Sequence, residues 1–139
     1  MSKNCLFCKI IDGSEPAQIV FKNESVIAFF PRVMNSKGHM IIAPIHHYEN
    51  ILDIQGGAFS SLFETIKFLA NHCQGILGAS GFNVLHASGE VAQQSINHFH
   101  FHLLPRFQDD HLDAWPNLPA WDGDPGELLR KLRVLDNST

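Results

Sequence analysis

The sequence predicts an α+β fold with a mostly antiparallel sheet. Short apolar segments with strand character lie on both sides of one long segment whose apolar residues follow helical spacing. Strands before and after a single long helix are typical of α+β architecture. The length of 139 residues is enough for one domain with its own hydrophobic core, so we expect a single domain over residues 1–139.

The composition limits the classes of partner. Hydrophobic residues make up 45% and charged residues 17%, an ordinary globular balance. A net charge of −4 without a basic run argues against binding to polymeric nucleic acid. No apolar run reaches the ~20 residues of a membrane span, and the N-terminus has no signal-peptide layout. Three cysteines, an odd count, fit a reducing compartment. We therefore expect a cytoplasmic protein without membrane contact.

The first half of the chain predicts a short helix and three strands. Residues 5–12 form a helix with apolar residues on one side, and Gly13 ends it. Residues 19–21 and 26–30 are strands around a turn. Residues 39–43 form a continuous apolar strand that Pro44 stops.

The second half begins with the most regular helical pattern. A helix is predicted from about 55 to 78, and glycines end it. Residues 82–86 form the next strand, and residues 97–106 form a histidine-rich strand. A last short helix is predicted from Pro125 to Val134.

The histidine-rich strand carries the clearest chemical signal. His98, His100 and His102 alternate with Phe99 and Phe101, so a strand points the three imidazoles to one face. The alternative is a half-exposed strand that carries histidine by chance. Same-face neighbours are ~6.6 Å apart, which places the two end histidines ~13 Å apart. Zinc–nitrogen bonds are only ~2.0–2.1 Å, so the three rings divide into roles rather than forming one metal site.

The middle ring, His100, suits nucleophilic attack on phosphorus. A neighbouring group that fixes its tautomer leaves the other ring nitrogen free. Ser95 and the loop amides around Gln93 and Gln94 are candidates for stabilising charge on the phosphoryl oxygens. His102 is a further candidate for that role and for the general acid. No acidic cluster has magnesium-binding spacing, so we expect no obligatory divalent ion in the chemistry.

The pair Cys5-x-x-Cys8 predicts a zinc site with two further ligands. Two buried cysteines near a helix start are the alternative, and a redox site is a weaker one because no βαβ setting is visible. The candidates for the remaining ligands are His39, His46, His47 and His98.

A small apolar group, Leu6, Phe7, Ile10 and Phe29, is ordinary core by its pattern alone. An aromatic slot for a nucleobase is the alternative.

These motifs resemble a known family. The segment His98–Leu104 matches the His-φ-His-φ-His-φ-φ signature of the histidine triad (HIT) superfamily, and the chain looks most like its bacterial Hint-like branch of nucleotidyl hydrolases and transferases. Ser95, the segment 38–44 followed by His47, and the opening 5–11 also fit. The resemblance covers about residues 5–106 and leaves a C-terminal extension, residues 107–139.

The resemblance implies a fold and a mechanism. It implies a HIT-like homodimer in which two five-stranded antiparallel sheets, each with one long helix and short terminal helices, join into one. His100 would be the nucleophile and form a nucleotidyl-histidine intermediate. His98 and His102 would orient it and assist proton transfer, and Ser95 would bind the phosphate or the leaving group.

The resemblance also implies ligand sites. In zinc-containing members the ligands correspond here to Cys5, Cys8, His47 and His98, and no organic cofactor is implied. The base-binding wall would map to Leu6, Phe7, Ile10 and Phe29, with Gln93 and Gln94 as further substrate contacts.

The chain departs from the family's pattern around the nucleoside. Pro31, followed by Arg32, stands where an acidic residue usually holds the ribose hydroxyls. Ala87 replaces a usual asparagine, and Gln93 replaces a usual glycine. Trp115-Pro116 resembles a tail that reaches a partner subunit's site in some members, at longer spacing here. These departures affect substrate identity more than reaction type.

Three functions follow from the sequence. The first is a hydrolase of nucleotide phosphoramidates or dinucleoside polyphosphates. The alternative is a nucleotide-binding regulatory protein with weak turnover. A metal-handling protein that uses the nine histidines is the third.

Overall fold

Five strands form one antiparallel sheet in the structure, a computed structural model that describes residues 4–135. The elements in chain order are α1 (Leu6–Asp12), β1 (Ile19–Lys22), β2 (Val26–Phe29), β3 (Met40–Pro44), α2 (Gly56–Leu77), β4 (Gly81–Leu85), a 3₁₀ turn (Glu90–Ala92), β5 (Phe101–Arg106) and α3 (Pro125–Leu132). The strand order is β1-β2-β3-β5-β4, and every neighbouring pair is antiparallel. The predicted α+β class with one long helix and short terminal helices is confirmed.

Helix α1 begins and ends at residues whose chemistry explains its length. The Cys5 thiol accepts a hydrogen bond from the Cys8 N–H at 3.3 Å and so caps the helix start. Gly13 adopts φ 87°, and its N–H bonds the carbonyl of Ile10. This left-handed conformation favours glycine, so the helix stops where the sequence predicts.

The two faces of the sheet pack against different helices. Phe99, Phe101 and Leu103 join the core under α2, together with Leu62 and Leu69 of that helix. The opposite face carries side chains of β2 and β3, and α1 covers it. Both central strands are therefore buried on both faces, which explains why their sequences are continuously apolar.

The histidine-rich strand differs from its prediction at its N-terminal end. Regular pairing with β3 begins only at Phe101, because the N–H of Phe99 bonds the carbonyl of Tyr48 instead of a neighbouring strand. The side-chain alternation survives, since Phe99 faces the α2 core. His98 and His100 are also buried, at 0% and 6% exposure, because α1 covers their face.

The C-terminal extension is attached to the sheet at its start. The Arg106 guanidinium donates to both carboxylate oxygens of Asp110 at 2.8 Å, to Asn83, and to the carbonyl of Leu112. Beyond this anchor, Trp115 is 77% exposed. No helix within residues 4–135 combines the length and apolarity needed to cross a bilayer.

Candidate active site and metal cluster

Two cavities meet at His100 and His102, at the start of β5. The larger, of about 500 Å³, is lined mainly by apolar side chains and is here named the apolar cavity. The smaller, of about 250 Å³, is named the polar cavity and includes His86, Ala87, Gln93 and Gln94. Ser95, His100 and His102 line both cavities. A group held at this junction can therefore extend one substituent into each cavity.

Strand register builds the floor of the apolar cavity. Phe29 of β2 pairs with Ile41 of β3, and Ile41 pairs with His102 of β5. Register partners share a face, and strands lie ~4.8 Å apart, so Phe29 is about 10 Å from His102 across the sheet. Leu6, Phe7 and Ile10 of α1 supply further wall. The four residues of the predicted base wall thus line one cavity beside the histidines.

Within residues 4–135, the hydrogen bonds of His100 leave one ring nitrogen free. Its Nδ1–H donates to the carbonyl of His98 at 2.8 Å, so Nε2 carries the unshared electron pair. His86 donates from Nδ1 to the carbonyl of His100, also at 2.8 Å, and Ser88 lies 2.5 Å from the other nitrogen of His86. Burial against the Phe7 ring lowers the pKa of His100 to about 4, so the ring is neutral at pH 7. A neutral imidazole with an unshared electron pair on one nitrogen is the form in which a histidine can act as a nucleophile.

His102 is held in the opposite tautomer by a chain of two hydrogen bonds. The Asn35 N–H donates to Nδ1 of His39 at 3.0 Å, which makes this nitrogen an acceptor. Nε2 of His39 therefore carries the hydrogen and donates to Nδ1 of His102 at 2.9 Å. The remaining hydrogen of His102 lies on Nε2. Burial, and then the nearby His39, lower the pKa of His102 to about 4.

The two hydrogen bonds from Asn35 through His39 to His102 favour one of the two roles suggested for His102, the stabilisation of charge on a phosphoryl oxygen. A general acid would need the imidazolium, whose Nδ1–H would oppose the Nε2–H of His39. The geometry instead presents a neutral Nε2–H donor. Such a donor stabilises negative charge on a phosphoryl oxygen without giving up its proton.

The partner role of His39 was not predicted, since the sequence suggested His39 only as a candidate zinc ligand. His39 is 3% exposed, and it contacts His102 across 63 positions of the chain. The sequence signal for this region was the match of the segment around Gly38 to the family, and that match does not indicate which residue His39 contacts. His86, left unassigned by the sequence, likewise supports the backbone of His100.

Four residues converge on a second site behind the triad. Cys5, Cys8, His47 and His98 each offer one ligand atom, and these atoms all lie within 4.8 Å of one another. Nδ1 of His98 is 3.4 Å from the Cys5 thiol and 3.1 Å from Nδ1 of His47. The Cys8 thiol is 3.3 Å from Nδ1 of His47. His46 is separate, with its ring packed against Tyr48 at 4.9 Å.

The spacing of this cluster fits a tetrahedral metal. Zn–S bonds of ~2.3 Å and Zn–N bonds of ~2.0–2.1 Å give sulfur–nitrogen separations of about 3.5 Å and nitrogen–nitrogen separations of about 3.3 Å. The opposite nitrogen of His98 donates to the carbonyl of Pro44 at 2.8 Å, which turns its Nδ1 toward the cysteines. Four protein ligands leave no open position, so the set suits a structural zinc.

The polar side chains of the loop before the triad differ in how far they are hydrogen-bonded within the protein. The Gln94 side chain accepts from Gly89 and donates to the carbonyls of Glu49 and Ile96, so it is bound within the protein. Gln93 adopts φ 73°, a conformation unusual for a residue other than glycine. Ser95 is exposed, and among the described residues its hydroxyl has no hydrogen-bond partner.

Comparison with known proteins gives consistent matches. The HIT domain model matches residues 12–109. An uncharacterized HIT-like protein of Methanocaldococcus jannaschii is 36% identical over 106 residues, which cover 76% of this chain and 81% of that protein. An adenosine 5′-monophosphoramidase of Candida albicans is 30% identical over 138 residues, which cover 94% of this chain and 90% of that protein. The crystal structure of a Streptococcus mutans protein has a TM-score of 0.83 at 32% identity, over 94% of this chain and 82% of that one.

Proposed function

The chain belongs to the HIT domain family, and from this premise we propose that it is a nucleoside phosphoramidase. Its substrate would be a nucleoside 5′-monophosphate joined to an amine through a P–N bond. Support at the level of the family comes from the Candida albicans relative, which is named an adenosine 5′-monophosphoramidase.

One observation carries the proposal. His100, whose Nε2 is free, lines both the apolar and the polar cavity, and its ring centroid lies 5.2 Å from that of His102. The apolar cavity suits a nucleoside because aromatic and aliphatic side chains line it. Phosphorus at the junction would have the nucleoside on one side and its leaving group on the other.

The first step transfers the nucleotidyl group to His100. The electron pair of Nε2 attacks phosphorus, and the P–N bond to the amine breaks with its electrons on nitrogen. Ser95, which faces both cavities, relays a proton from solvent to that nitrogen. The Nε2–H of His102 donates to a phosphoryl oxygen. The His98 carbonyl, which accepts the Nδ1–H of His100, stabilises the positive charge that the ring gains.

The second step releases the nucleotide. Water attacks phosphorus from the vacated polar cavity, and the P–Nε2 bond breaks with its electrons returning to His100. One proton leaves to solvent. The products are a nucleoside 5′-monophosphate and the neutral ring, ready for another cycle.

The polar cavity favours an amine over a polyphosphate as the leaving group. Its described lining contains neither lysine nor arginine, and its remaining side chains are neutral or histidine. A polyphosphate carries several negative charges that would need cationic partners there. An amine needs only hydrogen-bond acceptors, which Gln93 offers at this surface.

We further propose that Cys5, Cys8, His47 and His98 hold a structural zinc. When bound, the ion supplies folding free energy and fixes the backbone around His98. We also propose a homodimer, since β4 is at one edge of the sheet and Val84 on it is 40% exposed. Light scattering would test the dimer, and a monomer at micromolar concentration would exclude it.

The enzymatic proposal is tested by trapping the intermediate. Purified protein is mixed with adenosine 5′-phosphoramidate, quenched within milliseconds, and examined by peptide mass spectrometry for a nucleotidyl group on His100. His100→Ala should lose turnover by about 10³-fold or more and form no adduct. His72→Ala, which removes an exposed histidine on α2, is the matched control.

Two results would contradict the proposal. One is turnover by His100→Ala at the wild-type rate. The other is tight nucleotide binding by the wild type without turnover of any phosphoramidate or dinucleoside polyphosphate, which would favour a regulatory binding protein. Faster turnover of a diadenosine polyphosphate than of the phosphoramidate would reject the choice of leaving group while leaving the nucleophile in place.

A further inference from the structure

Arg32 is the one permanently charged side chain among the described residues that line the apolar cavity. It follows the end of β2 by three residues, and Phe29 of that strand lies in the same wall. No carboxylate lines the cavity within the described part of the chain. The nucleoside side of the site thus combines apolar walls, neutral polar groups and one guanidinium.

The guanidinium of Arg32 is available to a ligand. Among residues 4–135 it makes no hydrogen bond and no ion pair, whereas the guanidinium of Arg106 is fully engaged with Asp110 and Asn83. The sequence from 25 to 48 contains no Asp or Glu, so no neighbouring acid on β2, β3 or their connection neutralises it.

The chemistry of this group suits a phosphorylated ribose better than an ordinary one, because a guanidinium donates to phosphate oxygens more strongly than to a neutral hydroxyl. A carboxylate accepts hydrogen bonds from ribose hydroxyls, and in dinucleotide-binding sites an arginine takes its place where the ribose carries a phosphate. A guanidinium only donates, and its planar fork matches two phosphate oxygens at once. A cavity with a guanidinium and no carboxylate therefore favours an anionic sugar.

The position of Arg32 relative to the nucleophile supports the same conclusion. A bound nucleotide would have its phosphorus at Nε2 of His100 and its base against Phe7 and Ile10. Its sugar would then lie between the base and the phosphorus, inside the apolar cavity. Arg32 lines this cavity but not the polar cavity, so it faces the nucleoside side and not the leaving group.

We propose that Arg32 selects nucleotide conjugates whose ribose carries a phosphate on its 2′ or 3′ oxygen. The inference rests on the proposed function, because it assigns the sugar of the same substrate. Arg32 is thus a specificity-determining residue that takes no part in breaking the P–N bond.

The kinetic test compares three substrates: adenosine 5′-phosphoramidate and its 2′-phospho and 3′-phospho derivatives. A charge-assisted bidentate contact predicts that kcat/KM for one phosphorylated substrate exceeds that for the plain one by about 10- to 100-fold. Arg32→Gln should remove this preference while leaving the plain substrate within about threefold. Lys37→Gln is the matched control, because it removes one positive charge from the same connection at a residue outside the cavity.

A binding test separates this inference from the catalytic proposal. Calorimetry on His100→Ala measures dissociation constants for adenosine 5′-monophosphate and for adenosine 2′,5′- and 3′,5′-bisphosphate. We expect one bisphosphate to bind more tightly than the monophosphate, and we expect this difference to disappear in His100→Ala/Arg32→Gln. That result would support the inference even if no phosphoramidate were turned over.

Three outcomes would overturn the inference. Equal affinities for the monophosphate and both bisphosphates would remove its basis. A preference that survives Arg32→Gln would assign the extra phosphate to another group. An equal loss of kcat/KM on all three substrates in Arg32→Gln would place the guanidinium on the attacked phosphate instead.

Discussion

The pairing of His39 with His102 gives the sharpest prediction for the mechanism. Replacing His39 by phenylalanine keeps a ring of similar shape but removes the donor to Nδ1 of His102 and the acceptor for the Asn35 N–H. His39 is 3% exposed and His102 is half-buried, whereas Asn35 is exposed, so water replaces His39 more readily at the Asn35 N–H than at Nδ1 of His102. An unpaired buried polar group costs about 1–3 kcal/mol, and we expect His39→Phe to lose about 1–3 kcal/mol of unfolding free energy, mainly at His102.

The same change should affect catalysis through His102. Without His39, Nδ1 of His102 is free to take the hydrogen, and the donor that faces the phosphoryl oxygen is lost. Removing one such donor costs about 10²–10³ in kcat. The loss should be equal for phosphoramidates of weakly and strongly basic amines, because a neutral donor to a phosphoryl oxygen does not protonate the leaving group.

The assays are urea unfolding and kcat over a series of leaving amines. His39→Gln is the matched control, because an amide retains one donor and one acceptor and should recover part of both losses. Wild-type kcat in His39→Phe would refute the reasoning. A loss that grows with the basicity of the amine would instead identify His102 as a general acid.

Three further predictions concern metal, backbone and pH. Cys5→Ser/Cys8→Ser should abolish the binding of one zinc per chain. It should also lower Tm by roughly 10 °C, since a ligand at 10³ times its Kd contributes about 4 kcal/mol. Elemental analysis checks the zinc content, with Cys73→Ala as control, and a zinc-free wild type would contradict the prediction. Gln93→Gly should raise the unfolding free energy by about 0.5–1 kcal/mol. Glycine adopts φ 73° without the steric strain of a side chain, and this gain outweighs the larger conformational entropy that glycine loses on folding. A lower urea midpoint would show that Gln93 is not strained. Folding lowers the pKa of His102 from about 6.5 to about 4, so the folded state binds fewer protons and stability falls as pH falls below 6.5. At pH 5 this ring alone costs about 2 kcal/mol, and the loss of stability between pH 7.5 and pH 5 should be smaller by that amount in His102→Asn.

The extent of sequence prediction differs between elements. Helix α2 matches its predicted range within about one residue, because helical spacing of apolar residues and a terminal glycine are local signals. The start of β5 was displaced to Phe101, because a hydrogen bond from Phe99 to Tyr48 competes with strand pairing. No periodicity in the sequence reports such a contact.

The candidate site shows the same division. Alternation in residues 98–102 determined that imidazoles and phenylalanines would occupy opposite faces, and the Cys5-x-x-Cys8 spacing determined that two thiols would lie together. Both are properties of short segments whose geometry the backbone period sets.

Only the tertiary structure decided which groups each histidine contacts. His98 reaches Cys5 across 93 positions and His47 reaches Cys8 across 39, while His39 is withdrawn to His102. The free nitrogen of His100 and the placement of Arg32 in the apolar cavity likewise depend on packing between distant segments. The sequence by itself therefore determined the kind of chemistry, through residue types at fixed local spacing. The fold decided which ring nitrogens carry hydrogen, the grouping of Cys5, Cys8, His47 and His98, and the placement of Arg32 in the apolar cavity, because these depend on through-space contacts that chain order does not encode locally.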